Sequence, residues 1–337
     1  MKPPFSINNN MLNKIVEISK AIGNLEFQVD RNLKLRKENR IKSIHSSLAI
    51  ENNSLTVEQM TDIIDGKRVL GNPKEIREVK NAYDAYEEIL TLNPYKQSDF
   101  LKAHGLLTTG IVNESGQYRH KDVGIFDGAG NVIHMGARPQ FIENLMDDLF
   151  NWGASDDTPE IIKSCVFHYE IETIHPFEDG NGRIGRLWQT VILANWNSIF
   201  AWIPIETIIY ENQEAYYDAL AKADRANDSS EFIEFMLDII LETLIAYKMS
   251  DNSSDKVNHE IDEELPEGMT GVETQVYLLL KKYLVDHESI NTAVATKIVG
   301  KSASTVRKHL SSLVSLGLFE AHGSNKNRTY SLKKRRL

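Results

Sequence analysis

Residues 175–186 read HPFEDGNGRIGR, and this stretch of the 337-residue chain decides how the remainder is interpreted. Its positions hold one histidine, two acidic residues, three glycines and two arginines. A candidate general base, a candidate metal ligand and a candidate anion cradle therefore stand side by side. We expect this crowding to mark a site of chemistry rather than an ordinary turn.

The glycines of this stretch can form a cradle for phosphate oxygens. Glycine tolerates positive φ and close approach, so the amides of Gly180, Asn181 and Gly182 can point into one concavity. We predict a helix that begins near Arg183, whose N-terminal amides and positive dipole end would face the same anion. Arg183 and Arg186 are neighbours on that helix and would both reach a polyphosphate.

The same residues spell GxGxxG, the fingerprint of dinucleotide-binding sheets. That fingerprint needs a preceding strand, a following helix and an acidic residue about 20 positions on. Glu206 meets the last condition, but the preceding segment has helical periodicity and His-Pro-Phe intervenes. A GxxxxGK[ST] loop is absent from the sequence. We therefore exclude both nucleotide-binding motifs.

Two side chains at the start of the stretch can supply chemistry. Asp179 offers a hard oxygen ligand suited to Mg²⁺, which keeps several waters and bridges phosphates. His175 precedes Pro176, which predicts an extended backbone at the histidine. From there it could take a proton from an incoming hydroxyl.

Helical periodicity dominates the chain before these residues and after them. Apolar residues recur at helical spacing in segments 11–25, 79–92, 141–152, 161–174, 187–196 and 232–247. The exception is Val123–Met135, where a glycine-rich turn, Asp127-Gly128-Ala129-Gly130, predicts a β-hairpin.

HPFEDGNGRIGR resembles the signature of the Fic-domain family, HPFx[D/E]GNGRxxR, and matches it at every specified position. Members of this family share a helical core and transfer AMP from ATP to a Ser, Thr or Tyr hydroxyl of a target protein. The resemblance implies that His175 is the catalytic base, Asp179 the Mg²⁺ ligand and Phe177 a core anchor. The nucleotide-binding residues that it implies here are Gly180, Asn181, Gly182, Arg183, Ile184, Gly185 and Arg186.

The resemblance extends over residues 1–247. Val123–Met135 is similar to the family's flap, a hairpin that pins the target segment by strand addition. Residues 203–220, IPIETIIYENQEAYYDAL, resemble the stretch that closes over the adenosine, with Asn212 placed to meet the base.

Ser47–Asn52, SLAIEN, resembles the family's inhibitory motif, [S/T]xxxE[G/N]. A glutamate delivered to Arg186 would form an ion pair and remove the partner that a γ-phosphate needs. The resemblance therefore implies that Glu51 inhibits the protein. The same glutamate could instead position a water that hydrolyses AMP–protein, as in some relatives, so both directions stay open.

Composition limits the cellular location and the kinds of partner that can be expected. Cys165 is the only cysteine, which excludes a disulfide framework and a thiolate zinc site and favours a cytoplasmic location. No apolar run approaches the length of a membrane span. The net charge of −10 conceals a split, because residues 295–337 hold ten Lys and Arg against one acidic residue. Two regions of opposite charge predict two kinds of partner.

The basic C-terminal region is similar to a winged helix-turn-helix module. Its last predicted helix, residues 304–316, would bury Val306, Leu310 and Leu313, and the segments LFEAH and RTYSL predict a β-wing. The residues that would face DNA are Arg307, Lys308, Lys326 and Arg328 at phosphates and Thr305 and Ser311 at base edges. A winged helix that contacts a protein or a second copy of the chain is the alternative.

These observations predict a mainly α fold: a helical Fic core with a β-hairpin flap, plus a small winged helix-turn-helix domain. The predicted domains are an N-terminal helical region carrying the inhibitory motif (1–95), the catalytic core (96–248), a linker (249–268) and the winged-helix domain (269–337).

The predicted function is transfer of AMP from ATP, with Mg²⁺, to target proteins and to the chain itself, with release of pyrophosphate and inhibition by Glu51. The alternatives are removal of AMP, another nucleotide-derived phosphotransfer, or a DNA-binding regulator that carries a Fic domain. The predicted partners are target proteins with an accessible hydroxyl, DNA through the C-terminal domain, and a second copy in a homodimer. No membrane partner is predicted.

Overall fold

The computed structural model describes residues 2–29, 33–126 and 132–259 and, in the C-terminal part, 276–277, 280–281, 283–284, 287, 289–299, 303–323 and 328–333. The chain divides into two compact units, Met1–Met249 and Ser250–Leu337. No helix in the described ranges has the length and apolarity that a membrane crossing would need.

The first unit is built mainly from α-helices, which confirms the mainly α prediction. Its helices are α1 (Asn9–Val29), α2 (Leu33–Ile50), α3 (Val57–Ile64), α4 (Pro73–Glu87), α5 (Gln97–Thr108), α6 (Pro139–Ser155), α7 (Glu160–Ile174), α8 (Asn181–Trp196), α9 (Ile205–Glu211), α10 (Gln213–Ala226) and the first twenty residues of α11 (Ser230–His259). A 3₁₀ helix, Ser198–Trp202, follows α8.

Helices α7 and α8 form the centre of this unit, because both are buried around almost their whole circumference. An aromatic cluster surrounds them, with Trp188 of α8 5.1 Å from Phe100 between ring centroids. Each such buried side chain contributes roughly 1.5–3 kcal/mol. The two helices therefore hold the connecting loop, residues 175–180, against a packed core.

Helix α4 starts earlier than the apolar pattern of residues 79–92 predicts. Asn72 accepts a hydrogen bond from the Lys74 amide at 2.9 Å, and Pro73 occupies the first turn. Both are strong start signals for a helix. Its polar first turns carry no apolar repeat, so periodicity alone misses them.

A β-hairpin stands where residues 123–135 predict one. Strands β1 (Gly124–Phe126) and β2 (Val132–Met135) pair antiparallel, with an irregularity in register between Ile125 and Phe126. The glycine-rich turn that the sequence predicts, residues 127–130, lies outside the described residues.

The second unit contains β3 (Ile290–Asn291), α12 (Thr292–Val299), α13 (Ala303–Ser315), β4 (Phe319–His322) and β5 (Thr329–Leu332). The strands form an antiparallel sheet in the order β3-β5-β4. The burial predicted for Val306, Leu310 and Leu313 is confirmed. Lys326 lies outside the described residues, and the winged-helix assignment stays a prediction.

The range predicted as a linker, residues 249–268, begins inside a helix, because α11 continues to His259. Its polar residues lack an apolar stripe, but extending an existing helix costs far less than nucleating one. Residues 260–268 lie outside the described part of the chain.

Candidate functional site

His175 ends α7 in a left-handed turn, with φ 53° and ψ 59°. The extended backbone expected before Pro176 is therefore wrong. The proline still prevents the right-handed helix from continuing, and the left-handed turn keeps the His175 amide bonded to the Ile171 carbonyl at 3.0 Å. The ring Nδ1 lies 3.3 Å from the Glu172 carbonyl, which can only accept. In the neutral tautomer that donates to this carbonyl, Nδ1 carries the proton and Nε2 is the acceptor.

Asn181 fixes the loop between α7 and α8 by two reciprocal hydrogen bonds. Its Oδ1 accepts from the Phe177 amide and its Nδ2 donates to the Phe177 carbonyl, both at 2.9 Å. The Phe177 side chain is fully buried, as predicted for a core anchor.

His104 of α5 supports the same loop from the core side. Its ring stacks on Phe177, its Nε2 donates to the Asp179 carbonyl at 3.0 Å, and its Nδ1 accepts from the Gly116 amide at 3.0 Å. Burial lowers the pKa of His104 to about 4, so the ring stays neutral and keeps one donor and one acceptor. The loop is thus held rigidly on the side away from solvent.

Gly180 begins α8 with φ 88°, a conformation that glycine adopts without steric cost. A cavity of about 760 Å³ opens beside it, lined by His175, Asp179, Gly180–Gly182 and Arg186. The first amides of a helix have no partner within the helix. The N-terminus of α8 can therefore receive an anion in this cavity, as the glycines predict.

Asp179, the predicted magnesium ligand, lies in the lining of this cavity. Burial raises its pKa, but the charge and hydrogen bond of Arg183, at 2.7 Å, outweigh burial and lower the pKa below its ordinary value. The described residues contain no group of three or more His, Cys, Asp or Glu that could hold a metal. One ionised carboxylate still suits Mg²⁺, which takes its other ligands from phosphates and water.

Arg183 does not line the cavity. Its guanidinium is buried, bonds to Asp179 and lies 3.5 Å from the Glu78 carboxylate. The spacing on the helix predicts two arginines on one polyphosphate, whereas the structure brings only Arg186 into the cavity. Arg183 instead orients the carboxylate of Asp179.

Three other predicted nucleotide-binding residues also lie away from the cavity lining. Ile184 is fully buried in the core, and Gly185 packs against the ring of His168. Asn212 stands between α9 and α10 and donates to the Ile208 carbonyl at 2.9 Å.

Arg186 is buried and held by the end of α2. Its Nη2 donates to Glu51 Oε1 at 2.8 Å and to the Ser47 carbonyl at 2.9 Å, and its Nε donates to Ser47 Oγ at 3.1 Å. Burial lowers the pKa of Arg186, but the facing carboxylate of Glu51 outweighs burial and raises it. The predicted inhibitory glutamate thus contacts the predicted phosphate-binding arginine.

The end of α2 delivers Glu51 to this position. Asn52 is left-handed, with φ 65°. Its amide bonds to the Ala49 carbonyl and the Asn53 amide to the Leu48 carbonyl, both at 3.0 Å. This pair of bonds is a Schellman motif, with Glu51 as the last half-helical residue.

Sequence reasoning missed the wall of the cavity that faces the loop. It is formed by Tyr169, Glu172 and Thr173 of α7 and by Tyr216, Tyr217, Leu220, Ala221, Asp224 and Arg225 of α10. The α10 residues recur at helical spacing, a signal that could have identified one face of that helix. Burial raises the pKa of Glu172 to about 7, the largest single effect on that carboxyl.

The chain is similar to several known proteins. A model described as the Fic/DOC family matches residues 94–193. The chain is 28% identical over 246 residues to protein adenylyltransferase Fic of Nematostella vectensis, covering 68% of this chain and 53% of that protein. It is 29% identical over 186 residues to a probable protein adenylyltransferase of Aquifex aeolicus, covering 53% of each. The chain thus spans about half the length of these curated relatives.

Solved structures extend the similarity to the whole chain. The crystal structure of a Fic family protein from Desulfovibrio desulfuricans G20 has a TM-score of 0.73 and 36% sequence identity, and the match covers 100% of both chains. Fic-1 from Caenorhabditis elegans has a TM-score of 0.58 at 19% identity, over 72% of this chain and 73% of that one, which shows a shared fold.

Proposed function

The chain belongs to the Fic/DOC family, and from that premise we propose that it is an enzyme that transfers AMP from ATP to a Ser, Thr or Tyr hydroxyl of target proteins. The observation that carries the proposal is the cavity shared by His175, Asp179, the amides of Gly180–Gly182 and Arg186. Curated relatives named protein adenylyltransferase support the same activity.

The reaction needs a proton acceptor beside the hydroxyl. His175 Nε2 takes the proton while the hydroxyl oxygen forms a bond to the α-phosphorus. The bond between that phosphorus and the bridging oxygen breaks, and pyrophosphate leaves. A base in this position typically contributes about 10²- to 10⁴-fold to the rate.

The phosphate chain needs compensation for its negative charge. The amides at the start of α8 and the guanidinium of Arg186 supply it from the protein. Asp179 would hold the Mg²⁺ ion, which when bound neutralises charge on the α- and β-phosphates. Arg183 keeps the carboxylate of Asp179 ionised and oriented towards that task.

We propose that Glu51 inhibits this activity. The contact between Glu51 and Arg186 occupies the guanidinium that would otherwise bind the γ-phosphate. Arg186 is almost fully buried, whereas the Glu51 side chain is 37% exposed, so solvent screens this ion pair only in part. An ATP molecule that cannot engage Arg186 would leave its α-phosphate badly aligned with His175.

The experiment that tests both proposals is self-labelling of the full chain with α-labelled ATP and Mg²⁺. Glu51→Gly should raise labelling at least tenfold, and Glu51→Gly with His175→Ala should abolish the gain. Glu17→Gly, on an exposed face of α1, controls for the replacement of an acidic side chain by glycine away from the cavity. Absence of label on Glu51→Gly and on added proteins would contradict AMP transfer. Faster loss of label from a pre-labelled chain when Glu51 is present would favour AMP removal.

We further propose that the C-terminal unit binds DNA. Arg307 and Lys308 of α13 are exposed, as are Arg328 and Lys333 on either side of β5. Basic residues that face solvent are the electrostatic requirement for phosphate contacts.

A further inference from the structure

We propose that Arg119 is a positioning residue that couples the hairpin β1–β2 to His175. The inference rests on the proposed AMP transfer, in which the hairpin presents the target hydroxyl and His175 accepts its proton. Arg119 lies outside the cavity lining, so it acts through the backbone that it holds.

The guanidinium of Arg119 donates to carbonyls on both sides of this junction. Its Nη1 donates to Lys121 at 2.6 Å and its Nη2 to Ala137 at 2.6 Å, and these two residues flank the hairpin. Its Nε donates to His175 at 2.7 Å, and Nη2 also lies within 3.5 Å of the Ile174 carbonyl. One side chain therefore ties both legs of the hairpin to the catalytic loop.

Backbone hydrogen bonds reinforce the same junction. The Arg119 amide donates to the Pro176 carbonyl at 3.0 Å, and the Ala137 amide donates to the Ile174 carbonyl at 3.0 Å. A target strand that pairs with the hairpin would inherit this register, because neither leg can move along the loop without breaking these bonds.

Backbone carbonyls accept the hydrogen bonds of the Arg119 guanidinium, and the carboxylate of Asp122 adds a favourable charge at longer range. No carboxylate of the described residues forms an ion pair with it, and only 2% of its surface is exposed. The Ile174 and His175 carbonyls stand at the negative end of the α7 dipole, which favours a cation there. The planar guanidinium has five donors in a fixed fork, and lysine cannot reproduce that geometry.

Gly136 gives independent evidence that the fit is close. A Cβ atom built on Gly136 would lie 2.6 Å from Arg119 Nη2, 3.0 Å from His175 Cβ and 3.3 Å from the Ile174 carbonyl. The second leg of the hairpin therefore passes directly over the histidine, and only glycine leaves room for the guanidinium beneath it.

This arrangement predicts a loss of transfer without a loss of nucleotide binding. Arg119 touches neither the amides of Gly180–Gly182 nor Arg186, so ATP should bind as before. A displacement of about 1 Å between the hydroxyl and its base can cost about 10²-fold in rate. A residue that merely stabilised the fold would instead reduce the transfer rate and the ATP affinity together.

The first test uses the full chain with Glu51→Gly as the parent. Addition of Arg119→Lys should lower the self-labelling kcat at least tenfold and leave the KM for ATP within twofold. Gly136→Ala should act in the same direction, and Arg138→Lys, an exposed arginine beside the hairpin, should change neither value. Guanidinium ion should restore part of the rate to Arg119→Ala, and sodium ion should not. A parent-like kcat in Arg119→Lys would overturn the proposal.

The second test does not depend on activity. Amide hydrogen exchange of Arg119→Lys should rise at least tenfold in peptides that cover residues 117–138 and 171–178, and stay unchanged in α4. Equal protection in variant and parent would refute the coupling even if the parent transfers no AMP. Raised exchange in an inactive parent would leave the coupling intact and reject only the proposed reaction.

Discussion

The left-handed turn at His175 decides which ring nitrogen can act as a base. It brings Nδ1 to the Glu172 carbonyl, which leaves Nε2 to accept a proton. A non-glycine residue in this conformation is uncommon and costs of order 1 kcal/mol. The left-handed conformation is needed here because α7 ends, and the loop begins, at this residue.

The histidine can be tested separately from the anion site. In the Glu51→Gly background, His175→Ala should lower self-labelling about 10²- to 10⁴-fold, because the proton acceptor is gone. ATP affinity, measured by isothermal titration, should stay within twofold, because Arg186 and the amides of Gly180–Gly182 remain. Labelling close to that of the parent would show that another group accepts the proton.

Glu172 predicts a dependence of stability on pH. Burial raises its pKa to about 7 from an ordinary value of 4.5, with Arg186 of α8 lowering it and Glu51 raising it. Tyr216 of α10 contacts its carboxyl, and His168, one turn earlier on α7, lies 3.9 Å away. A carboxyl whose pKa is raised by folding binds its proton more tightly in the folded state than in the unfolded state. The free energy of unfolding therefore falls as pH rises from 4.5 towards 7.

The variant that isolates this effect is Glu172→Gln. Relative to it, the wild-type free energy of unfolding should fall on the order of 3 kcal/mol between pH 4.5 and pH 8. Denaturant unfolding at several pH values measures the difference. A difference that does not change with pH would refute the assigned protonation.

At the scale of elements, the end of α2 controls where the inhibitory carboxylate lies. The Schellman motif needs a left-handed residue after Glu51, and Asn52 provides it. Glu51 therefore reaches Arg186 through helix geometry as well as through charge.

Changing Asn52 tests that dependence without touching the ion pair. Asn52→Gly should keep the left-handed turn and preserve inhibition. Asn52→Val should strain the turn by about 1–2 kcal/mol or more, displace Glu51 and raise self-labelling. Thermal unfolding of both variants checks that the fold persists. Equal labelling in the two variants would show that the turn does not position Glu51.

The sequence predicts the helical elements and the loop motif because both are local. His175, Asp179 and Gly180 lie within six consecutive residues, so their proximity can be predicted without knowledge of the tertiary structure. The direction of Arg183 could not be predicted, since it depends on Glu78 of a distant helix. The same holds for Arg119, whose partners are backbone carbonyls from three separate segments.

At the scale of the whole molecule, the chain combines an acidic first unit with a basic C-terminal region. Residues 295–337 hold ten basic side chains against one acidic residue, although the chain as a whole carries a net charge of −10. Both units have their own buried cores. Truncation can therefore separate the chemistry proposed for the first unit from the DNA contact proposed for the second.

A chain of residues 1–259 keeps α11 to its end and removes the basic C-terminal region. In the Glu51→Gly background it should self-label at a rate within twofold of the full chain. The full chain should bind a random DNA duplex with an affinity that falls as salt rises, with a logarithmic slope of roughly −0.9 for each phosphate contacted. Fluorescence anisotropy at low and moderate salt measures duplex binding by the full chain and by the truncated chain.

The truncation is matched by point changes within the full chain. Arg307→Ala with Lys308→Ala should weaken duplex binding and reduce the salt slope, because two basic side chains of α13 are lost. Arg68→Ala with Lys80→Ala removes two exposed charges from the first unit and should leave the duplex affinity and the salt slope unchanged. The DNA proposal would fail if the full chain does not bind at low salt, or if both double variants bind equally well. A basic surface that contacts a protein would then be the better explanation.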